Sequence, residues 1–314
     1  MRERFVMFVA VVFVSAGVAA GSVRRMADVP PDGPYAVEES AALFVGVRDF
    51  SYDEDLTEVR YAVDDAIELA YAMSIDLRPR LVNPDRVVLA LSGMPQKSDD
   101  KLKVLVAAGA RVKPAGQADI LTLLRQQAGA VGRNGALFVS FATHGVNRGG
   151  TQHLFHAGSL LWNVEATTIS EADVRDVIAR SRVPRAVMFL DACRQWLTKD
   201  GRNGDPDPRS AAGFLDAIGS VNGLVVLSAA PAGGYAYDDD ALQNGVFTAA
   251  VIEGLRCHAR RDSRGFITVD ALADYVEETV LAWVRRHKEP DARSATQLQC
   301  EGKTKTMPLS MCGQ

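Results

Sequence analysis

Apolar positions along the chain fall into short continuous runs, and segments with helical spacing lie between these runs. A continuous apolar run is typical of a strand that is covered on both faces. The runs predict strands at 41–47, 87–91, 136–141, 186–190 and 223–227. Apolar residues at helical spacing predict helices at 56–73, 120–128, 170–179, 247–255 and 269–287. Strands that alternate with helices predict an α/β fold, with a mostly parallel central sheet and helices on both faces.

An N-terminal apolar segment precedes this region. Arg2 and Arg4 come before an uncharged run over 5–21 that ends in small residues suited to a cleavage site. We therefore expect residues 1–22 to be a signal peptide or an N-terminal membrane anchor, and residues 23–40 to be a linker. A buried helix is the alternative. An exported or envelope-associated protein follows from the first interpretation, either periplasmic, secreted or anchored to a membrane.

Composition and charge exclude several classes of protein. Of 314 residues, 47% are hydrophobic and 24% charged, so neither a disordered chain nor a multi-span membrane protein is expected. The 35 basic and 39 acidic residues give a net charge of −4, which offers no basic field for nucleic acid. Four cysteines are too few for a scaffold held by disulfides. We expect Cys257 to be a small packing residue, whereas Cys300 and Cys312 either pair with each other or stay reduced.

Two reactive side chains follow two of the predicted strands. His144 comes shortly after the strand at 136–141, and Cys193 shortly after the strand at 186–190. Functional groups gather at the carboxyl ends of strands in such sheets, so neighbouring strands would bring the two together. A cysteine nucleophile needs a partner that takes its proton and later protonates the leaving group, and a histidine does both. A buried structural cysteine with a histidine at a strand end is the alternative.

The residues around this pair resemble those of a peptidase family. Caspases carry a catalytic Cys in a Gln-Ala-Cys type of motif, with a His about 50 residues upstream. Here Cys193 lies in Asp191-Ala192-Cys193-Arg194, 49 positions (193 minus 144) after His144. Asp at the first position is similar to metacaspases, paracaspases and the bacterial caspase-like peptidases, which favours a bacterial origin.

Further segments are similar to the same family and occur in its order. They are LFVGV with LTEVRYAVDDAIELA, FVSFATHG, VMFLDACR, LVVLSAAPAGGYAYDDDALQNGVFTAAVIEGL and FITVDALADYVEETV. The resemblance implies a caspase-like fold over one peptidase domain, followed by a tail. The domain would cover 41–289 and the tail 290–314. Within the domain, a large-subunit-like part at 41–198 would be followed by a linker at 199–222 and a small-subunit-like part at 223–289.

The resemblance also implies an activity, that of a cysteine endopeptidase of peptidase family C14 acting on polypeptide substrates. Cys193 would be the nucleophile and His144 the general base and acid. The backbone N–H groups of Gly145 and Cys193 would form the oxyanion hole, and a glycine lets the substrate carbonyl approach the backbone. The alternative from another class is a catalytically idle caspase-fold module that acts by binding partners.

Three acidic residues fall on positions that match the specificity pocket of relatives that cleave after Arg or Lys. They are Asp65, Asp191 and Asp238, which together would bind a guanidinium through charge-assisted hydrogen bonds. The resemblance therefore implies cleavage after Arg or Lys. Arg60 lies one position from the Arg that caspases specific for Asp use, so an Asp-specific peptidase is the alternative.

Other polar residues carry weaker signals. Asp64, Asp239 and Asp240 are expected to be solvated charges, and His153 and His156 to be surface or core histidines. No spacing of ligands predicts a metal site, so no cofactor is expected. Activation by calcium is compatible with the resemblance, because some metacaspases need it.

Residues 199–212 contain many breakers and no periodicity, which predicts an exposed loop. Lys199, Arg202 and Arg209 lie in it, and many relatives cut themselves in the equivalent linker. We expect slow self-cleavage there, most plausibly after Arg202. The other expected contact is a membrane, through residues 5–21.

Overall fold

The structure of the protein is a computed structural model. It describes residues 33–148, 151–193, 195–196, 223–230, 234–288, 297–300 and 306–312, with the backbone alone at 195–196 and 297–300. The predicted signal peptide or anchor, most of the first linker, and the predicted processing loop at 199–212 lie outside the described residues. Within the described part, no helix has the length and hydropathy needed to cross a membrane.

The described residues form strands and helices that alternate through most of the chain. The strands are β1 Ala41–Val47, β2 Val87–Ser92, β3 Arg111–Pro114, β4 Leu137–Ala142, β5 Gly145–Arg148, β6 Thr151–Leu154, β7 Ile169–Ser170, β8 Ala186–Asp191, β9 Gln195–Trp196, β10 Leu224–Ser228, β11 Asp238–Asp239, β12 Asn244–Gly245, β13 Phe266–Thr268, β14 Gln297–Cys300 and β15 Pro308–Met311. The helices are α1 Ala62–Tyr71, α2 Asp99–Ala107, α3 Gln117–Ala130, α4 Val164–Thr167, α5 Glu171–Ser181, α6 Val246–Glu253 and α7 Val269–His287.

Seven of these strands form the central sheet, in the spatial order β14-β10-β8-β4-β1-β2-β3. Every neighbouring pair in it is parallel except β10 with β14. Each of the five predicted strands is present and lies in this sheet. The α/β prediction is therefore confirmed, because a parallel sheet needs crossover helices that cover its faces.

The core has two parts, one on each face of the sheet. On β1, Phe44 joins the cluster that includes Ile67 of α1 and Leu272 of α7. The neighbouring residue Leu43 points to the opposite face and joins the cluster that includes Leu124 of α3. Successive strand residues thus face different helices, which explains why the strand is a continuous apolar run.

The C-terminal residues include two strands in the region predicted to be a tail, 290–314. Their strand β14 pairs with β10 at the edge of the central sheet, and β15 pairs with β13. Helix α2 and the exposed edge strand β3 were also missed. Strand β3 is exposed and α2 buries only Leu105, so the hydrophobic pattern that reveals a core element is weak in these two.

A disulfide joins Cys257 to Cys312, with Cα atoms 5.7 Å apart. The expectation that Cys257 only packs is wrong, and so is the pairing of Cys312 with Cys300. The reason is topological. Cys300 lies on β14 beside β10, whereas β15 brings Cys312 to the turn that follows α6.

Candidate active site

The sheet places His144 and Cys193 at one edge. Strands β4 and β8 are parallel neighbours whose register pairs Ala142 with Asp191. His144 and Cys193 each follow two residues later, so the two chains leave the sheet side by side. The backbone N–H of Thr143 donates to the carbonyl of Asp191 at 3.2 Å, which keeps the chains in contact beyond the last pair.

The imidazole of His144 is held from two sides. Its Nε2 lies 2.7 Å from the carbonyl oxygen of Thr57, and its ring stacks on Phe50 with centroids 5.1 Å apart. Because a carbonyl oxygen only accepts, the proton of the neutral ring belongs on Nε2, and Nδ1 keeps a free lone pair. Burial lowers the pKa of His144, and the bond to Thr57 opposes this shift. The ring is therefore a neutral base near pH 7.

Cys193 is half-buried, and among the cysteines whose side chains are described it alone is outside the disulfide. Its thiol donates to the carbonyl oxygen of Ala236 at 3.7 Å. Burial raises the pKa of the thiol, and the negative charges of Asp191 and Asp238 raise it further. The resting sulfur is therefore a thiol, which needs a base before it can act as a nucleophile.

Gly145 and Cys193 approach each other closely through their backbones. A Cβ added to Gly145 would lie 2.5 Å from the carbonyl oxygen of Cys193, so no larger residue fits at this position without movement. The same carbonyl accepts a 3.1 Å hydrogen bond from Nε2 of Gln152. Gln152 was missed by the sequence analysis, and no motif around it signals this contact.

Three carboxylates converge around Gly245. A Cβ added to Gly245 would overlap Oδ2 of Asp191 and lie 2.9 Å from Oδ2 of Asp65, so both carboxylates border the same point. Both residues are buried. Asp238 pairs with Gly245 across the β11–β12 ladder, and its charge acts on both of these carboxylates. The structure thus brings together the three acids that the sequence analysis had grouped.

Burial and mutual repulsion shift the acids of this cluster toward their protonated forms. Burial raises the pKa of Asp65 well above its usual value, and the charges of Asp191 and Asp238 add to the shift. Burial also raises the pKa of Asp191 to about 7, with a further contribution from Asp238. The pKa of Asp238 is raised by burial and lowered by Arg60. Asp65 and Asp191 have only neutral donors among the described residues, and such a pair of buried acids beside a cysteine is suited to binding a cation.

Comparison with known proteins identifies the family of the chain. The caspase-domain model of the Peptidase C14 family matches residues 40–309, most of the chain. The protein belongs to the caspase-domain family. The match reaches the region of β15, beyond the predicted domain end at 289.

Solved structures show the same fold. Protein GSU0716 from Geobacter sulfurreducens has a TM-score of 0.50 and 12% identity, and the alignment covers 87% of this chain and 99% of that one. Caspase-1 from Spodoptera frugiperda has a TM-score of 0.50 and 14% identity, with 87% of this chain and 88% of that one covered. No curated protein sequence matches significantly.

Further contacts in this caspase domain position the acidic cluster. Thr248 donates to Oδ2 of Asp191 from its backbone N–H (3.2 Å) and its hydroxyl (2.7 Å). Asn244 and Gly245 donate to Oδ1 of Asp65 at 2.9 and 2.8 Å. The sequence analysis missed Thr248 and Asn244. An Asn-Gly pair just after a run of aspartates is a turn signal that pointed to this ladder but not to its role.

Arg60 is close enough to the cluster to lower the pKa of Asp238, and it also has a carboxylate partner of its own. Its guanidinium forms a 2.8 Å ion pair with Asp240, which also accepts a 2.7 Å bond from the hydroxyl of Tyr61. Both members of the ion pair are mostly exposed. Arg60 therefore already has a carboxylate partner within the protein.

All three acids expected to be solvated are in contact with protein groups. Asp64 is fully buried and accepts three backbone N–H bonds from residues 96–98, so the expectation was wrong. Its donors are backbone N–H groups of the segment just before α2, and no local pattern reveals this contact. Asp239 accepts bonds from two backbone N–H groups and, at 2.5 Å, from the indole of Trp283. Asp240 is exposed, as expected.

The two neighbouring histidines are buried and bonded locally. Nδ1 of His153 lies 2.8 Å from the hydroxyl of Thr168, and Nδ1 of His156 accepts from the N–H of Gly158 at 3.0 Å. They are core residues. In the described part of the chain, no group of three or more His, Cys, Asp or Glu side chains is arranged to hold a metal ion.

Proposed function

We propose that the protein is a cysteine endopeptidase that cleaves polypeptides after Arg or Lys. The observation that carries the proposal is the convergence of Asp65, Asp191 and Asp238 around Gly245, close to a free thiol that follows β8. A cationic side chain before the scissile bond would replace the missing counter-charge of the cluster. The peptide carbonyl would then lie near Cys193.

The chemistry would proceed in two steps. Nδ1 of His144 takes the proton of the Cys193 thiol as sulfur attacks the peptide carbonyl carbon, and the backbone N–H groups of Gly145 and Cys193 bind the resulting oxyanion. The imidazolium then protonates the leaving amine, and a thioester remains on sulfur. Water attacks this thioester with His144 as base, which releases the carboxylic acid and restores the thiol.

The hydrogen bond to Thr57 supports this role of His144. It orients the ring and stabilises the proton on Nε2 in both the neutral and the cationic state. A backbone carbonyl therefore takes the place that a carboxylate holds in other catalytic groups. The lowered pKa of His144 favours the neutral base at the start of the cycle.

Two alternatives are disfavoured by specific contacts. An Asp-specific peptidase needs a free cation in the pocket, but Arg60 is paired with Asp240. A catalytically idle binding module needs neither a cysteine kept outside the disulfide nor a histidine whose tautomer is set for a base. Calcium activation remains compatible with the proposal, which requires no metal.

The proposed location is outside the cytoplasm, with residues 1–22 as export signal or anchor. The disulfide between Cys257 and Cys312 supports this, since disulfides persist in oxidising compartments such as the periplasm. Polypeptides in that compartment would be the substrates.

A fluorogenic peptide panel with Arg, Lys or Asp before the scissile bond tests the function. We expect hydrolysis of the Arg and Lys peptides and loss of at least about a thousandfold in Cys193→Ala and in His144→Ala. Asp191→Asn should impair the Arg peptide strongly, whereas Asp119→Asn, an exposed acid on the other face of the sheet, should not. Activity that survives in folded Cys193→Ala, or preference for the Asp peptide, would contradict the proposal.

A further inference from the structure

The buried acidic residues of α1 differ in how they are neutralised. Asp64 accepts three backbone N–H bonds from residues 96–98, at 2.7, 2.9 and 2.9 Å. Glu68 accepts a 2.8 Å bond from the hydroxyl of Ser98 and forms an ion pair with Lys101. The segment before and within α2 thus fully engages these two carboxylates.

Asp65 lies between them in sequence, and no cationic side chain of the described residues pairs with it. Its described donors are neutral and both reach Oδ1: the amide Nδ2 of Asn244 at 2.9 Å and the N–H of Gly245 at 2.8 Å. The other oxygen, Oδ2, borders Asp191. This oxygen is the part of Asp65 that faces the acidic cluster.

A second lysine from the same segment, Lys97, lies close to Asp65 but is separated from it by the side chain of Asn244. The ammonium of Lys97 donates to Oδ1 of Asn244 and, at 2.8 Å, to the carbonyl of Leu242. Asn244 is buried, and its amide lies between the ammonium and the carboxylate. The ammonium of Lys97 and the carboxylate of Asp65 are therefore separated by the amide group of Asn244, with one hydrogen bond on each side of it.

An amide is suited to this place because it presents an acceptor at one end and donors at the other. The oxygen of Asn244 satisfies Lys97, and its nitrogen satisfies Asp65. An aspartate there would repel Asp65, and a residue without a polar side chain would leave space for the lysine. Lysine has a long flexible stem and a compact charge, so it can move into such a space.

We propose that Asn244 is a specificity-determining spacer that keeps Lys97 from forming an ion pair with Asp65, and so leaves the charge of Asp65 for a cationic substrate side chain. The proposal rests on the proposed function for its consequence, but the spacing itself is a property of the folded protein. An internal Lys–Asp pair would compete with the substrate guanidinium for the same carboxylate.

The experiment compares Asn244→Ala, Lys97→Met and the double variant, all in the Cys193→Ala background, by carbon NMR titration of the Asp65 carboxyl. In Asn244→Ala, Lys97 should reach Asp65 and lower its pKa by at least about one unit relative to the double variant. Lys97→Met alone should leave the titration near that of the parent. Asp191 and Asp238 are the other titrating groups that act on Asp65, and they are unchanged in all variants.

The same substitutions with Cys193 intact measure the consequence for activity at pH 8. Asn244→Ala should lower kcat/KM for an Arg peptide by about tenfold or more, mainly through KM, and the added Lys97→Met should restore most of it. Lys101→Met is the matched control, because it removes a cation of the same segment that is bonded to Glu68. It should leave the KM unchanged.

The results separate the spacer role of Asn244 from the role of the pocket in substrate binding. If the Asp65 carboxyl has the same pKa in Asn244→Ala and in the double variant, the spacer role is wrong. Different titration with equal hydrolysis would uphold the spacer and contradict the role of the pocket in substrate binding. If Asn244→Ala does not fold, as judged by near-UV circular dichroism, Asn244→Ser serves in its place, since it also removes the amide.

Discussion

Asp191 accepts two hydrogen bonds from Thr248, at 3.2 and 2.7 Å, and nevertheless has a pKa raised to about 7. Two donors would ordinarily stabilise the charged carboxylate. Burial and the nearby Asp238 outweigh them. Asp191 is therefore held in place by neutral donors, and no cation of the described residues pairs with it, so its charge is sensitive to pH.

The first prediction concerns the pH dependence of substrate binding. Asp191 is protonated below pH about 7 and charged above it, so an Arg peptide should bind more tightly as pH rises. We expect KM to fall by about tenfold between pH 6 and pH 8. Steady-state kinetics measure this, with kcat followed separately because His144 and Cys193 also titrate. Asp191→Asn should lack the step, and a KM that is flat in the wild type would contradict the prediction.

The second prediction concerns the stability of Asp191→Asn. In the unfolded chain, an Asp has a pKa of about 3.9. Between pH about 3.9 and about 7, Asp191 therefore keeps a proton in the folded protein that the unfolded chain has released. The contribution of Asp191 to stability is thus present at low pH and lost as pH rises toward 7. Asn keeps an acceptor for Thr248 without the charge, and should raise Tm at pH 8 by at least about 2 °C. Thermal melts at pH 5 and pH 8 test this, and a lower Tm at pH 8 would show that the charge is compensated.

The third prediction concerns Gly245→Ala. The added methyl group would overlap Oδ2 of Asp191 and lie 2.9 Å from Asp65, so the carboxylates must separate. We expect a loss of about 1–3 kcal/mol in unfolding free energy together with weaker binding of Arg peptides. Gly129→Ala in α3 is the control, because nothing lies within 4 Å of its added methyl group. It should be neutral or stabilising by up to about 1 kcal/mol in urea unfolding.

The fourth prediction concerns the disulfide between Cys257 and Cys312, which are 55 positions apart and tie β15 to the turn after α6. Its removal in the double Ser variant should lower the unfolding free energy by about 2–4 kcal/mol. Reductant should destabilise the wild type to a similar extent and leave the double variant unchanged. Equal melting of oxidised and reduced wild type would mean that the bond adds no stability.

Much of the fold was predictable from local pattern. The five apolar runs predicted the buried strands, because a strand between two layers of helices needs apolar residues on both faces. The residues around His144 and Cys193, together with the further segments in the family's order, predicted the family, and the caspase-domain match confirms it. The proximity of His144 and Cys193 was also predictable, since β4 and β8 are adjacent parallel strands that end at the same edge.

Several of the elements missed lie at the periphery, and the strands of the small sheet β7-β6-β5-β9 were not predicted either. Strand β3 is exposed along its whole length, and α2 buries only Leu105. Strands β14 and β15 are four residues each and follow a polar segment. A short element at an edge needs few apolar residues, so its sequence differs little from that of a loop.

The sequence by itself determined the layered fold and the residue types of the site, because burial on a strand is a local property that the order of residues records. Only the tertiary structure decided which polar groups meet. Asn244 reaches Asp65 across 179 positions, and Thr248 reaches Asp191 across 57. Asp64 was misjudged as solvated for the same reason, since its N–H donors come from residues 96–98. A hydrogen bond between distant residues depends on their arrangement in space, and a single sequence carries no periodic signal for it.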